Sequence, residues 1–137
     1  MKKFTALFLL VVMSAVLLSG CSSTKLSDSF DKDTVEKSAK QVIEALNNDD
    51  YDSVISMFRD DLKEELTAGS LKDAATKTYG NAGKFKKYKS VSILGQKVKS
   101  TKEDCAVAIV VANYEKQKVE FTLSFDTDMK LIGLYMK

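Results

Sequence analysis

The chain of 137 residues is 45% hydrophobic and 29% charged, has a formal charge of +2, and contains no His, no Pro, no Trp and two Cys. Without His there is no imidazole for acid–base catalysis, no Ser-His-Asp or Cys-His nucleophile and no His-containing zinc site. Two Cys are too few for a thiolate cluster.

Composition divides the chain in two. Residues 1–20 hold 14 apolar residues and two bases but no acid, whereas the remainder holds 19 bases and 19 acids. Met1, Lys2 and Lys3 form a cationic start, and in the run Phe4 to Leu18 only Thr5 and Ser14 are polar. This reads as a secretory leader, since the run falls short of the roughly 20 residues that span a bilayer. Leu18, Ser19, Gly20 and Cys21 follow and resemble the bacterial lipobox, a branched apolar residue and two small ones before Cys. That resemblance implies cleavage before Cys21, diacylglycerol on its sulfur, and a mature protein tethered to the outer face of the cell membrane. The competing reading is an ordinary signal peptide cut near Gly20 with an incidental Cys. Residues 21–32 read as a tether with Leu26 and Phe30 as its apolar residues, and 33–137 as one domain.

In that domain Val35, Ala39, Val42, Ile43 and Leu46 recur at helical spacing, and Asp33 with Glu36 predicts a capping box. Asn47 to Asp50 breaks the helix. Tyr51, Val54, Ile55 and Phe58 predict a second helix running on toward Leu62 and Leu66. A third, carrying Leu71, Ala74, Ala75, Thr78 and Tyr79, starts at Thr67 or Ser70, and Gly80 and Gly83 end it through positive φ. The period then changes to two. Tyr88 to Val98 predicts a strand with a bulge at Leu94 to Gln96. Asp104 to Tyr114 is apolar on both faces, as for a central strand covered on both sides. Glu115 to Lys118 turns the chain into a strand with Val119, Phe121, Leu123 and Phe125 on one face and a wet face of Glu120, Thr122 and Ser124. Asp126 to Asp128 turns it again and Leu131 to Met136 returns. The fold class is α+β: N-terminal helices packed on a curved, cone-like four-stranded antiparallel sheet.

Asn48 to Tyr51 before a helix ending Met57-Phe58, Leu66-Thr67 followed by Leu71, Gly83 to Tyr88, and Leu131 to Leu134 together resemble the domain of unknown function 3887 family. The resemblance covers roughly residues 35–136. It implies a shape similar to the nuclear-transport-factor-2-like cone and an association with Gram-positive lipoproteins. It brings no catalytic residues. The α/β-hydrolase domain that sometimes accompanies the family is absent from this sequence.

Residues 66–102 hold nine bases and one acid. Lys84, Lys86, Lys87 and Lys89, interleaved with Phe85 and Tyr88, read first as a solvated loop and strand edge, with contact to anionic lipid or wall polymer as the functional alternative. Nucleic acid is not expected for a neutral secreted domain with one Arg, Arg59. The carboxylates Asp49, Asp50, Asp52, Asp60, Asp61, Glu64 and Glu65 lack a calcium-loop pattern and read as helix caps and helix surface. Cys105, in an apolar strand, reads as a buried inert thiol. No cofactor or metal is expected.

Phe58, Tyr79, Phe121 and Tyr135, from different elements, are the candidate lining of a pocket for a small apolar ligand. The functional expectation is a nonenzymatic, membrane-tethered module that binds a protein or small ligand at the cell envelope. The alternative is an isomerase- or dehydratase-like enzyme with a cavity carboxylate as base. Glu120, the acid inside a strand, lies on the polar face and does not meet that need. A structural spacer without a ligand is the third possibility.

Overall fold

The computed structural model describes residues 25–137. Helices α1 (Lys32–Asn47), α2 (Tyr51–Met57), α3 (Asp60–Lys63) and α4 (Ala68–Tyr79) precede strands β1 (Phe85–Lys97), β2 (Asp104–Tyr114), β3 (Lys118–Phe125) and β4 (Leu131–Met136). The strands form one antiparallel sheet in the order β1-β2-β3-β4. The protein is α+β, as its sequence predicts.

The helices cover one face of the sheet. The stripe Val35, Ala39, Val42, Ile43 and Leu46 on α1 is buried among Ala106, Ala108, Val110 and Ala112 of β2 and Val119, Phe121, Leu123 and Phe125 of β3. Phe30 is buried in the same core and Leu26 packs against it, so packing begins before residue 33. This moves the helix start. Asp31, not Asp33, caps α1, accepting the Asp33 N–H at 3.3 Å and the Thr34 hydroxyl at 2.8 Å. At α4 the Thr67 side chain and the Ser70 side chain form a reciprocal capping box.

The second helix is shorter than its pattern predicts. At Phe58 the chain turns extended (φ −72°, ψ 153°) and makes a parallel bridge with Leu131, and the Arg59 N–H donates to the Leu131 carbonyl at 3.0 Å. Burying the Phe58 ring and satisfying the β4 edge outweigh one more helical turn. Leu62 and Leu66 then pack from α3 and the loop after it.

Three strand expectations need correction. The register of β1 on β2 runs unbroken through Leu94, Gly95 and Gln96, and the irregularities lie between Phe85 and Lys87 and between Tyr88 and Ser90. Gly95 serves close approach, because a Cβ there would stand 2.5 Å from the Lys25 carbonyl oxygen where the tether crosses the strand. The β3 face expected to be wet is largely dry: Thr122 lies between Ile109 and Tyr135, and Ser124 between Val107 and Gly133. Both are buried. Strand β2 is covered by helices on the Ala106–Ala112 side alone, and Val107 and Cys105 are closed off on the other side by neighbouring strands.

Gly80 takes an ordinary helical φ of −57°. Gly83 has φ +82°, and an added Cβ would lie 2.8 Å from the Glu115 Cβ. Its left-handed turn lets the Lys84 N–H reach the Glu115 carboxylate at 2.7 Å. Gly83→Ala is expected to lower the unfolding free energy by about 1–2 kcal/mol, read from the denaturant midpoint at unchanged slope. An unchanged midpoint would show that the turn relaxes freely.

Candidate functional site

A cleft of about 930 Å³ opens where the C-terminal end of α1 meets the last turn of α4 and the first residues of β1. Four phenol rings from four elements line it: Tyr51 opens α2, Tyr79 closes α4, Tyr88 lies on β1 and Tyr114 ends β2. Phe85 joins them. The rings brace one another at 5.5 Å for Tyr79 and Tyr114, 5.7 Å for Phe85 and Tyr114, and 4.9 Å for Phe85 and Tyr88, tilted or edge-on. The Lys40 ammonium sits 4.9 Å from the Tyr88 ring centre.

The turn between α1 and α2 supplies the polar wall. Asp49 there adopts a left-handed φ of 57° and accepts the Tyr51 hydroxyl at 3.1 Å. The Tyr114 hydroxyl donates to Asn47 Oδ1 at 2.5 Å. The hydroxyls of Tyr79 and Tyr88 are buried in the wall without a hydrogen-bond partner. Such a group costs about 1–3 kcal/mol of desolvation.

Burial keeps these phenols protonated. It is the leading cause of a raised pKa for Tyr51, Tyr79, Tyr88 and Tyr114 alike. Repulsion from the ionised forms of Tyr114 and Tyr51 and from the Asp49 carboxylate adds to the effect at Tyr79, which is pushed far above its usual value. Tyr114 rises to about 12 even though the Asn47 hydrogen bond pulls the other way. The charged residues of the lining are two acids, Glu44 and Asp49, and two bases, Lys72 and Lys84. The cleft therefore offers neutral hydroxyls, amides and ring surface with balanced charge.

Of the four aromatic residues that the sequence nominates as a lining, only Tyr79 lines this cleft. Phe121 lies behind it, 5.8 Å ring to ring, and is fully buried. Phe58 is buried at its bridge to Leu131, away from the cleft. Tyr135 stands opposite Thr122 on the face without helices and is 39% exposed. Its strand parity, opposite to that of Leu134, takes it out of the core. Tyr51, Phe85, Tyr88 and Tyr114, the other rings of the lining, are not among the nominated residues, and each sits at or near an element end, where periodicity does not tell which rings meet.

Lys84 reaches the cleft lip, while Lys86, Lys87 and Lys89 are exposed on β1. None of the four has a carboxylate within ion-pair distance among the described residues. Contact with the Lys118 ammonium pulls the Lys89 pKa down. Cys105 is buried, and burial raises its thiol pKa. Glu120 is paired with Lys137 at 3.1 Å, outside the cleft lining. Leu18, Ser19, Gly20 and Cys21 lie outside the described residues. Among the described residues no helix is long and apolar enough to cross a membrane, and no group of three or more Cys, Asp or Glu is placed to hold a metal ion.

The profile of a family described as "Protein of unknown function (DUF3887)" matches residues 39–134. The chain is also similar to a protein from Ruminococcus gnavus ATCC 29149 whose structure was solved by NMR, with 34% identity, a TM-score of 0.73, and coverage of 83% of this chain and 97% of the other. No curated protein matches the chain.

Two outcomes are expected from the tyrosine wall. Tyr79→Phe and Tyr88→Phe remove unpaired hydroxyls and are expected to leave thermal stability unchanged or higher, whereas Tyr114→Phe strands Asn47 and is expected to lower it by about 1 kcal/mol. Equal losses in all three would refute the assignment. Tyr114 is the pH reporter. Its pKa is raised above the unfolded value near 10, so its contribution is complete below pH 10 and is lost as pH climbs through about 12. Denaturant titrations from pH 9 to 12 are expected to show that fall, and a shallower one in Tyr114→Phe.

Proposed function

The chain belongs to the DUF3887 family of proteins of unknown function, and on that premise we propose that it is a lipid-anchored, extracytoplasmic binding module of the bacterial cell envelope, with a nuclear-transport-factor-2-like cone whose ligand site is the tyrosine cleft. The observation that carries the binding reading is the pair of buried, unpartnered hydroxyls of Tyr79 and Tyr88 in the wall of an open cleft. A protein that keeps two unpaired polar groups beside a cavity forgoes stability that two Phe residues would restore, which is the mark of a site shaped for something else. The groups that converge there, rings, amides and neutral hydroxyls, suit holding a molecule rather than moving its protons.

The anchoring reading rests on Leu18, Ser19, Gly20 and Cys21 after an apolar run with a cationic start. Two acyl chains on Cys21 hold a protein stably at a bilayer, each buried methylene adding about 0.8 kcal/mol. Lys84, Lys86, Lys87 and Lys89 add a secondary contact to anionic envelope polymers.

In a Gram-positive host fed labelled palmitate, the native chain is expected to take up label and sediment with membranes, and Cys21→Ser to be unlabelled and released. Label in both, or in neither, would overturn the anchor. The native chain in detergent is expected to melt several degrees higher with the small-molecule fraction of a cell-envelope extract, because a ligand that binds only the folded state stabilises it. An unchanged melting curve would overturn the binding reading.

A further inference from the structure

We infer that the tyrosine cleft recognises an uncharged saccharide, an inference that rests on the binding reading above and names its ligand class. The lining excludes the other classes by chemistry. A fatty acyl chain would set the Asn47 amide and the Asp49 carboxylate of the lining against hydrocarbon, at a cost for each. With two acids, Glu44 and Asp49, balanced by two bases, Lys72 and Lys84, the lining presents no net charge that would select an anion or a cation. A quaternary ammonium needs open ring faces on several sides. Here Phe85 meets Tyr88 and Tyr114 edge-on, Tyr79 leans on Tyr114, and the Lys40 ammonium already lies over Tyr88.

A sugar ring matches what remains. Its C–H edges pack on half-exposed aromatic surface, and its hydroxyls both donate and accept, as phenols and amides do. The Tyr79 and Tyr88 hydroxyls are shut off from solvent in this conformation, so each meets a sugar only as its ring turns outward. That movement exchanges an unpaired position in the wall for a hydrogen bond to the ligand. The cleft, at about 930 Å³, is at the large end of small-molecule sites and has room for more than one sugar ring.

The test uses the full chain in polyoxyethylene detergent micelles, which carry neither sugar nor ammonium. Calorimetric titration is made with triacetylchitotriose, maltotriose, choline and decanoate, on the native chain and on Tyr79→Phe and Tyr88→Phe. At least one saccharide is expected to bind the native chain, and each variant to bind it about fivefold more weakly with no loss of thermal stability. Saccharide binding that is indifferent to both substitutions would overturn the inference. So would binding of choline or decanoate without either saccharide, although the cleft would then stand as a ligand site. Failure of all four probes, with an envelope extract that still raises the melting temperature, would overturn the sugar class alone. Failure of the extract as well would overturn the binding reading beneath it.

Discussion

The structure depends on how closely α1 can approach β2. Three of the four residues that β2 presents to the helices between Ala106 and Ala112 are alanines, with Val110 the exception. The α1 stripe can therefore lie low on the centre of the sheet, and the larger Phe121, Leu123 and Phe125 of β3 rise beside it. Helix and strand differ in length. Sixteen helical residues span about 24 Å, whereas eleven strand residues span about 36 Å. The sheet outruns its main cover. At the Tyr114 end α1 stops at Asn47, which accepts the Tyr114 hydroxyl, and Phe85, Tyr88, Tyr79 and Tyr51 gather around that contact. The cleft forms where the end of α1 meets the end of β2.

Elsewhere the polar groups are well served, which gives the two silent hydroxyls their meaning. Asp31, Asp50 and Thr67 each cap a helix. Buried Asp126 accepts the Asp128 and Lys130 N–H groups at 3.0 and 2.9 Å and holds the turn into β4. Among the described residues three buried side-chain polar atoms lack a partner, and two of them are in the cleft wall. Asp49 and Gly83, two of the four positive-φ residues among the described residues, also line the cleft. Unpaired hydroxyls and a left-handed Asp49 at one site are a combination that packing alone gives no reason to keep.

The architecture was legible because it follows from period. The α1 stripe, the change to alternation after Lys84 and the turn at Asp126 each depend on one face being buried and the other not. The errors arise where a long-range partner overrides a local preference. Phe58 leaves its helix for Leu131, a residue 73 positions away that no window around Phe58 contains. Gly95 reads locally as a bulge, yet its reason is the Lys25 backbone crossing from the far end of the chain. Thr122 and Ser124 look wet until Tyr135, Ile109 and Val107 are set beside them by register. The cleft was the least legible part. It is built from element ends, where periodicity gives out, and the helical spacing that identified Tyr51 and the alternation that identified Phe121 carry no information about which rings meet.

The path of the tether bears on how such a cleft would be presented. Lys25 crosses β1 at Gly95, whereas Tyr88 of the cleft lies seven residues back along the same strand, a separation of about 23 Å. Three residues separate Cys21 from Lys25, and the four Cα-to-Cα steps reach about 14 Å at full extension. On the proposed anchoring the lipid cannot be drawn back past the cleft. The membrane would then meet the Gly95 end of the sheet first, with the tyrosines and the exposed Lys86, Lys87 and Lys89 at the far end. A cleft so placed faces the material beyond the bilayer, and a short tether suffices to hold it there because the strand itself acts as the spacer.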